Sequence, residues 1–162
     1  MNVGLERVVI DEEQVLFSGE ELYLLQRLVC GDLRKRRDLT YQQVHKAKMR
    51  VANKFGDERE TLTRKLWRAT AAAVGKNLLD LAELPGMPEE KVELEELRLM
   101  ATMVLGVGEV DARKFLGFSK KEFMKCEKGL RGKAGVGTSY ALVAWAVKNR
   151  EELGLEKIFE SA

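Results

Sequence analysis

Both prolines of the chain fall inside one four-residue stretch, Pro85-Gly86-Met87-Pro88. Everything on either side is free of the residue that most effectively stops a helix. Alanine, leucine, glutamate, lysine and arginine dominate the remainder of the 162 residues, and all five are good helix formers. The chain therefore reads as all-α. Pro85–Pro88 is itself a turn and the natural boundary. It divides the chain into a basic helical unit at residues 1–84, an acidic linker at 85–91 and a second unit at 92–162. These are arranged either as two small helical units or as one continuous bundle.

Cap residues place the helices. Val8-Val9-Ile10 is a short β-prone patch, read as a strand or an extended arm. Ser18 with Glu21 three residues on is a capping box, opening a helix that carries Leu24, Leu25, Leu28 and Val29 to a stop at Gly31. Thr40 opens a second helix ending at Gly56. A third, about 58–81, carries Leu62, Leu66, Trp67, Ala69, Ala73, Val74 and Leu78 at three- and four-residue steps, a broad stripe that needs a partner. Beyond the prolines, helices are expected at about 92–105 and 110–116. Ser119 with Glu122 then caps a helix from Lys120 to Lys128, with loops at Gly129 and Gly132–Gly137. A last helix begins near Tyr140, and the tail offers Leu155, Ile158 and Phe159 as a docking or dimer-contact stripe. Trp67, Trp145, Met100, Met103 and Met124 stand among apolar residues and read as core.

Several function classes find no support. No run approaches the roughly 20 apolar residues of a membrane span, and residues 1–13 carry acids and no apolar stretch, unlike a secretory signal. Cys30 and Cys126 are far apart, lack metal-ligand spacing and are expected as buried or half-buried free thiols. His45 completes no site. No nucleophile stands with a base, and no glycine-rich phosphate loop follows a strand. The expectation is a cytoplasmic protein that is not an enzyme and uses no cofactor or metal.

The net charge of +2 is uninformative, but its distribution is not. Between Lys120 and Lys133 the bases are Lys120, Lys121, Lys125, Lys128, Arg131 and Lys133, against Glu122 and Glu127 alone. In the first half, Arg34, Lys35, Arg36, Arg37, Lys46, Lys48, Arg50 and Lys54 stand against Asp32 and Asp38. Residues 80–96 are, by contrast, strongly acidic.

One constellation carries more than composition. Gly106, Val110, Asp111 and Ala112 precede Leu116-Gly117-Phe118-Ser119, then Phe123, then Glu127-Lys128-Gly129. At this spacing the segment Leu97–Val147 resembles the lambda-repressor and Cro-like (Xre-type) helix-turn-helix family. There a leucine-glycine-apolar-serine turn precedes the recognition helix, and a glutamate-any-glycine closes it. Three positions depart from the pattern: Gly108 stands in place of the usual cap residue, Glu109 where the family usually has glutamine, and Arg113 where it has a small apolar residue. The frame from Leu97 to Ala146 also resembles the LuxR-type four-helix DNA-binding domain, and both resemblances put Lys120–Lys128 on the recognition helix.

The resemblance implies sequence-specific binding of double-stranded DNA by a homodimeric transcriptional regulator of the phage or mobile-element repressor type. Its contacts would come from Glu109, Ser119, Lys120, Lys121, Lys125, Lys128, Arg131 and Lys133. The first half, with Thr40 as a cap and Val44 in the place of Phe123, reads as a degenerate second helix-turn-helix-like unit. Arg34, Lys35, Arg36, Arg37, Lys46 and Arg50 are its candidate DNA contacts. Two alternatives keep the fold and change the job: a module that holds RNA polymerase, a sigma factor or a toxin, or recognition of viral DNA for packaging.

Overall fold

Cap chemistry fixes where the helices begin. The structure, a computed structural model, describes residues 16–31, 40–55 and 61–161. Within them the chain forms helices and no strand: α1 (Gly19–Cys30), α2 (Tyr41–Ala52), α3 (Leu62–Gly75), α4 (Leu94–Val104), α5 (Glu109–Leu116), α6 (Lys120–Ala134), α7 (Ser139–Lys148), α8 (Arg150–Leu153) and α9 (Leu155–Ser161). The Val8–Ile10 patch and Arg34, Lys35, Arg36 and Arg37 lie outside the described residues. Both first-half capping boxes form. Ser18 Oγ accepts from the Glu21 amide while the Glu21 carboxylate accepts from the Ser18 amide, and Thr40 and Gln43 do the same for α2.

Helix α7 is the axis of the molecule. Ala141 to Val147 are all buried, which a helix tolerates only when apolar on every side and surrounded by other helices. It packs against α1, α3, α4 and α6, most extensively against α3. One hydrophobic cluster joins Leu25, Phe55, Leu66 and Trp67 from the first half to Leu99, Met103, Leu130 and Trp145 from the second. Of the two arrangements open from the sequence, this is the continuous bundle. The proline stretch lies against it: Trp145 Nε1 donates to the Gly86 carbonyl at 3.2 Å, and Lys148 Nζ reaches the carbonyls of Leu81 and Leu84. The tail folds back too, with Leu155 and Ile158 buried and α9 packed on α4.

Several expectations need correction. Helix α3 stops at Gly75 rather than near 81, because Asn77 adopts a left-handed conformation (φ 58°) and the Leu78 amide closes back on the Ala73 carbonyl. Leu78 is consequently exposed. Helix α6 does not end at Lys128 but runs through Gly129 and Gly132 to Ala134. Each glycine weakens a helix by about 1 kcal/mol relative to alanine, yet burial of Leu130 and Ala134 returns more than that. Met124 is not core; it points outward and is 62% exposed. Cys30 is exposed and Cys126 half-buried, both as free thiols.

Candidate nucleic-acid interface

The approach to the basic helix is built by close contact with α3. Helix α4 ends in a turn at Gly106 (φ 62°), after which the Val107 amide donates to the Thr102 carbonyl. Gly106 lies so tightly on α3 that a Cβ there would sit 2.9 Å from Arg68 Cβ and 3.0 Å from the Arg64 carbonyl oxygen. Arg64, itself buried, donates from Nη1 to the Val107 carbonyl at 2.7 Å. Its guanidinium lies 5.2 Å from the ring centroids of both Trp67 and Phe123, within cation–π range. One α3 side chain thus holds both the loop before α5 and the first turn of α6. Nothing in the sequence singles out Arg64 beyond the breadth of the α3 stripe, which leaves no purely solvent-facing side.

Helix α5 follows Gly108 as its N-cap and has Glu109 and Asp111 in its first turn, where carboxylates complement the helix dipole. Gly117 ends it in the left-handed region (φ 69°), which glycine enters at little cost. Arg113 closes the turn twice. Its carbonyl accepts from the amides of Gly117 and Phe118 at 2.8 and 3.1 Å, and its Nε donates to the Phe118 carbonyl at 3.2 Å. Arg113 is therefore a clamp on the turn leading into α6.

Ser119 caps α6. Its Oγ accepts from the Glu122 amide at 3.2 Å, and the Glu122 carboxylate accepts from the Ser119 amide at 3.1 Å. These bonds hold the Glu122 carboxyl below its usual range. Phe123, Leu130 and Ala134 are the buried residues of α6. At 100° per residue the opposite side carries Lys121, Lys125 and Lys128, and Lys120 stands at the first turn. All four lysines are exposed, and none takes part in an ion pair among the described residues. From Lys120 to Lys128 the row covers eight helical steps, a basic edge of about 12 Å.

The other predicted contacts are placed differently. Arg131 is half-buried, with Nε 2.8 Å from Glu127 Oε1 and Nη1 donating to the Gly137 carbonyl. Burial pushes the Glu127 carboxyl up, against the pull of Arg131. Lys133 turns toward the acidic start of α4, donating to Glu96 at 2.6 Å and to the Lys91 carbonyl at 2.9 Å. The Glu96 carboxylate holds its ammonium above the usual range. Arg131 and Lys133 are therefore occupied within the fold, tying α6 to the following loop and to α4. Glu109 is half-buried at the start of α5. On α2, Lys46 is exposed, and Arg50 is exposed but lies 3.2 Å from Glu20.

No family model, curated protein or solved structure matches this chain. Among the described residues no helix is long and apolar enough to cross a membrane.

Proposed function

We propose that the protein binds double-stranded DNA through α6, as a transcriptional regulator of the repressor type that acts as a homodimer. The observation that supports this best is the row of four exposed lysines on a helix packed against α4 and α7, with Arg64 of α3 over its Phe123. Lysine side chains act as point charges for phosphate oxygens, and some reach guanine edges in the major groove. Rigid support matters because a recognition helix must keep its register on the duplex while its side chains adjust.

Four phosphate contacts predict that log K falls with log salt at a slope of about −3.6 per protomer, or roughly 100-fold between 50 and 200 mM salt. The test is fluorescence anisotropy on random-sequence duplex, followed by selection of preferred sites from a random pool. Replacing Lys120, Lys121 and Lys125 together by glutamate should abolish binding while leaving the helical circular dichroism unchanged. Binding retained by that variant would remove the claim for α6.

A protein-interaction module is the second reading, favoured by two exposed apolar side chains, Leu94 at the acidic start of α4 and Val110 in the first turn of α5, which are 53% and 65% exposed. It predicts no salt-dependent duplex binding by the wild type and capture of a protein partner that is lost on replacing Val110 by aspartate.

A further inference from the structure

The last turns of α3, α4 and α7 border, with α8 and the tail helix α9, a cavity of about 240 Å³. Ala72 and Gly75 line it from α3, and their short side chains leave the space open. Leu155 and Phe159 line it from α9. These two belong to the apolar stripe of the tail that the sequence marks as a docking surface, and they are folded back as a wall of this cavity instead. Ala72 and Leu155 are buried and Phe159 is half-buried, whereas Gly75 and Arg150 are exposed. The cavity therefore runs from the apolar core to an opening beside Gly75, Lys76 and Arg150.

An apolar cavity of about 150 Å³ stays dry and holds one benzene, so this one has room for a chain of about ten heavy atoms. Empty space beside a core forfeits dispersion contacts that an occupant restores. Among the described residues, Lys76 and Arg150 are the charged ones that line it, and no acid does. Three helices end here, and bare helix ends favour a cation. These ends are not bare: the Ala73 carbonyl accepts from the Leu78 amide, Thr102 from Val107 and Trp145 from Asn149. The two side-chain cations therefore set the sign. Arg150 lies 3.6 Å from Glu156, but both side chains are more than half exposed, and a pair of that kind is weak enough to exchange partners.

From this we infer that the cavity is a binding site for a medium-chain fatty acid, with its acyl chain against Ala72, Leu155 and Phe159 and its carboxylate beside Lys76 and Arg150. The apolar walls select chain length, and the two cations select the carboxylate over a neutral head of the same size. The site is separate from the duplex reading of α6, because no residue of the lysine row lines it. Since α9 supplies part of the wall, the occupant also ties the tail to α3 and α4.

The experiment titrates the full chain with octanoate, hexanoate and octanol by calorimetry, and by two-dimensional amide NMR to locate the site, for wild type, G75L and K76Q/R150Q. Octanoate should bind with a dissociation constant of about 0.1–1 mM, with amide shifts centred on Ala72, Leu105 and Leu155. Each buried methylene is worth about fourfold, so hexanoate should bind about 15-fold more weakly. A Cβ at Gly75 meets nothing within 4 Å, and leucine is a better helix former than glycine. G75L should therefore keep the wild-type spectrum while filling the opening and losing octanoate. K76Q/R150Q should weaken octanoate about 10-fold and leave octanol unchanged.

No octanoate binding by the wild type overturns the site. So does a G75L that binds octanoate like the wild type, because the ligand then sits elsewhere. Equal octanoate affinity in the wild type and K76Q/R150Q refutes the carboxylate assignment. None of these readouts involves a duplex, so their failure leaves the α6 reading standing, and absence of duplex binding leaves the cavity site standing.

Discussion

Replacing Gly106 by alanine tests how closely the turn before α5 is seated on α3. Two separate penalties follow from the geometry. The residue has φ 62°, and a side chain in the left-handed region costs about 1–2 kcal/mol. The new Cβ would also approach Arg68 Cβ to 2.9 Å and the Arg64 carbonyl oxygen to 3.0 Å. Neither neighbour is the free end of a side chain; both belong to the rigid body of α3, so the turn itself must lift. Overpacking of this kind costs about 1–3 kcal/mol, which brings the sum to about 2–5 kcal/mol.

Gly117 provides the control. Its φ is 69°, but nothing lies within 4 Å of its Cβ position, so alanine there should cost only the conformational part, about 1–2 kcal/mol. Urea denaturation followed at 222 nm, with midpoints compared at constant m, separates the two. Equal destabilisation by the two substitutions would refute the close approach and with it the seating of the turn on α3.

Two further outcomes concern the same framework. Arg64→Met should destabilise by about 2–3 kcal/mol, because it leaves the buried Val107 carbonyl without its charged donor; urea midpoints check this, and Arg64→Lys should recover only part of the loss. Burial alone would raise the Glu21 carboxyl, but hydrogen bonds from Lys54 and Ser18 outweigh it and hold the group below its ordinary 4.5. The stability this contributes is present above that value and is lost as pH falls through the depressed folded value. Lys54→Met should therefore be less stable than wild type at pH 7, with the gap narrowing on acidification below 4.5; a gap independent of pH would contradict it.

The sequence was most legible where a local rule decides the structure. Ser18 with Glu21, Thr40 and Ser119 with Glu122 mark helix starts because the cap is a bond between residues three apart. Leu116-Gly117-Phe118-Ser119 gives the turn for the same reason. Tertiary contacts wrote the rest. Gly129 and Gly132 looked like loop residues and are helical because Leu130 and Ala134 beside them are buried. Met124 looked apolar enough for the core, but its register on α6 turns it outward.

At the candidate interface, Lys120, Lys121, Lys125 and Lys128 form the exposed row, whereas Arg131 and Lys133 face Glu127 and Glu96. Glu127 and Arg131 are a pair four residues apart, legible only if α6 is taken to run past Lys128, whereas Lys133–Glu96 joins two helices and carries no signature in the charge count. Arg64 shows the same limit. A basic residue within an apolar helix gives no sign that it will stack on Phe123 and bond Val107, 43 residues away.

The most direct test of the account is the salt dependence of duplex binding by the wild type beside the Lys120, Lys121 and Lys125 triple glutamate variant. The account predicts wild-type binding that weakens roughly 100-fold for each protomer engaged, about 10,000-fold for the dimer, between 50 and 200 mM salt and no measurable binding by the variant, whose fold is intact. Absence of wild-type binding at low salt, or equal binding by the two proteins, would contradict it.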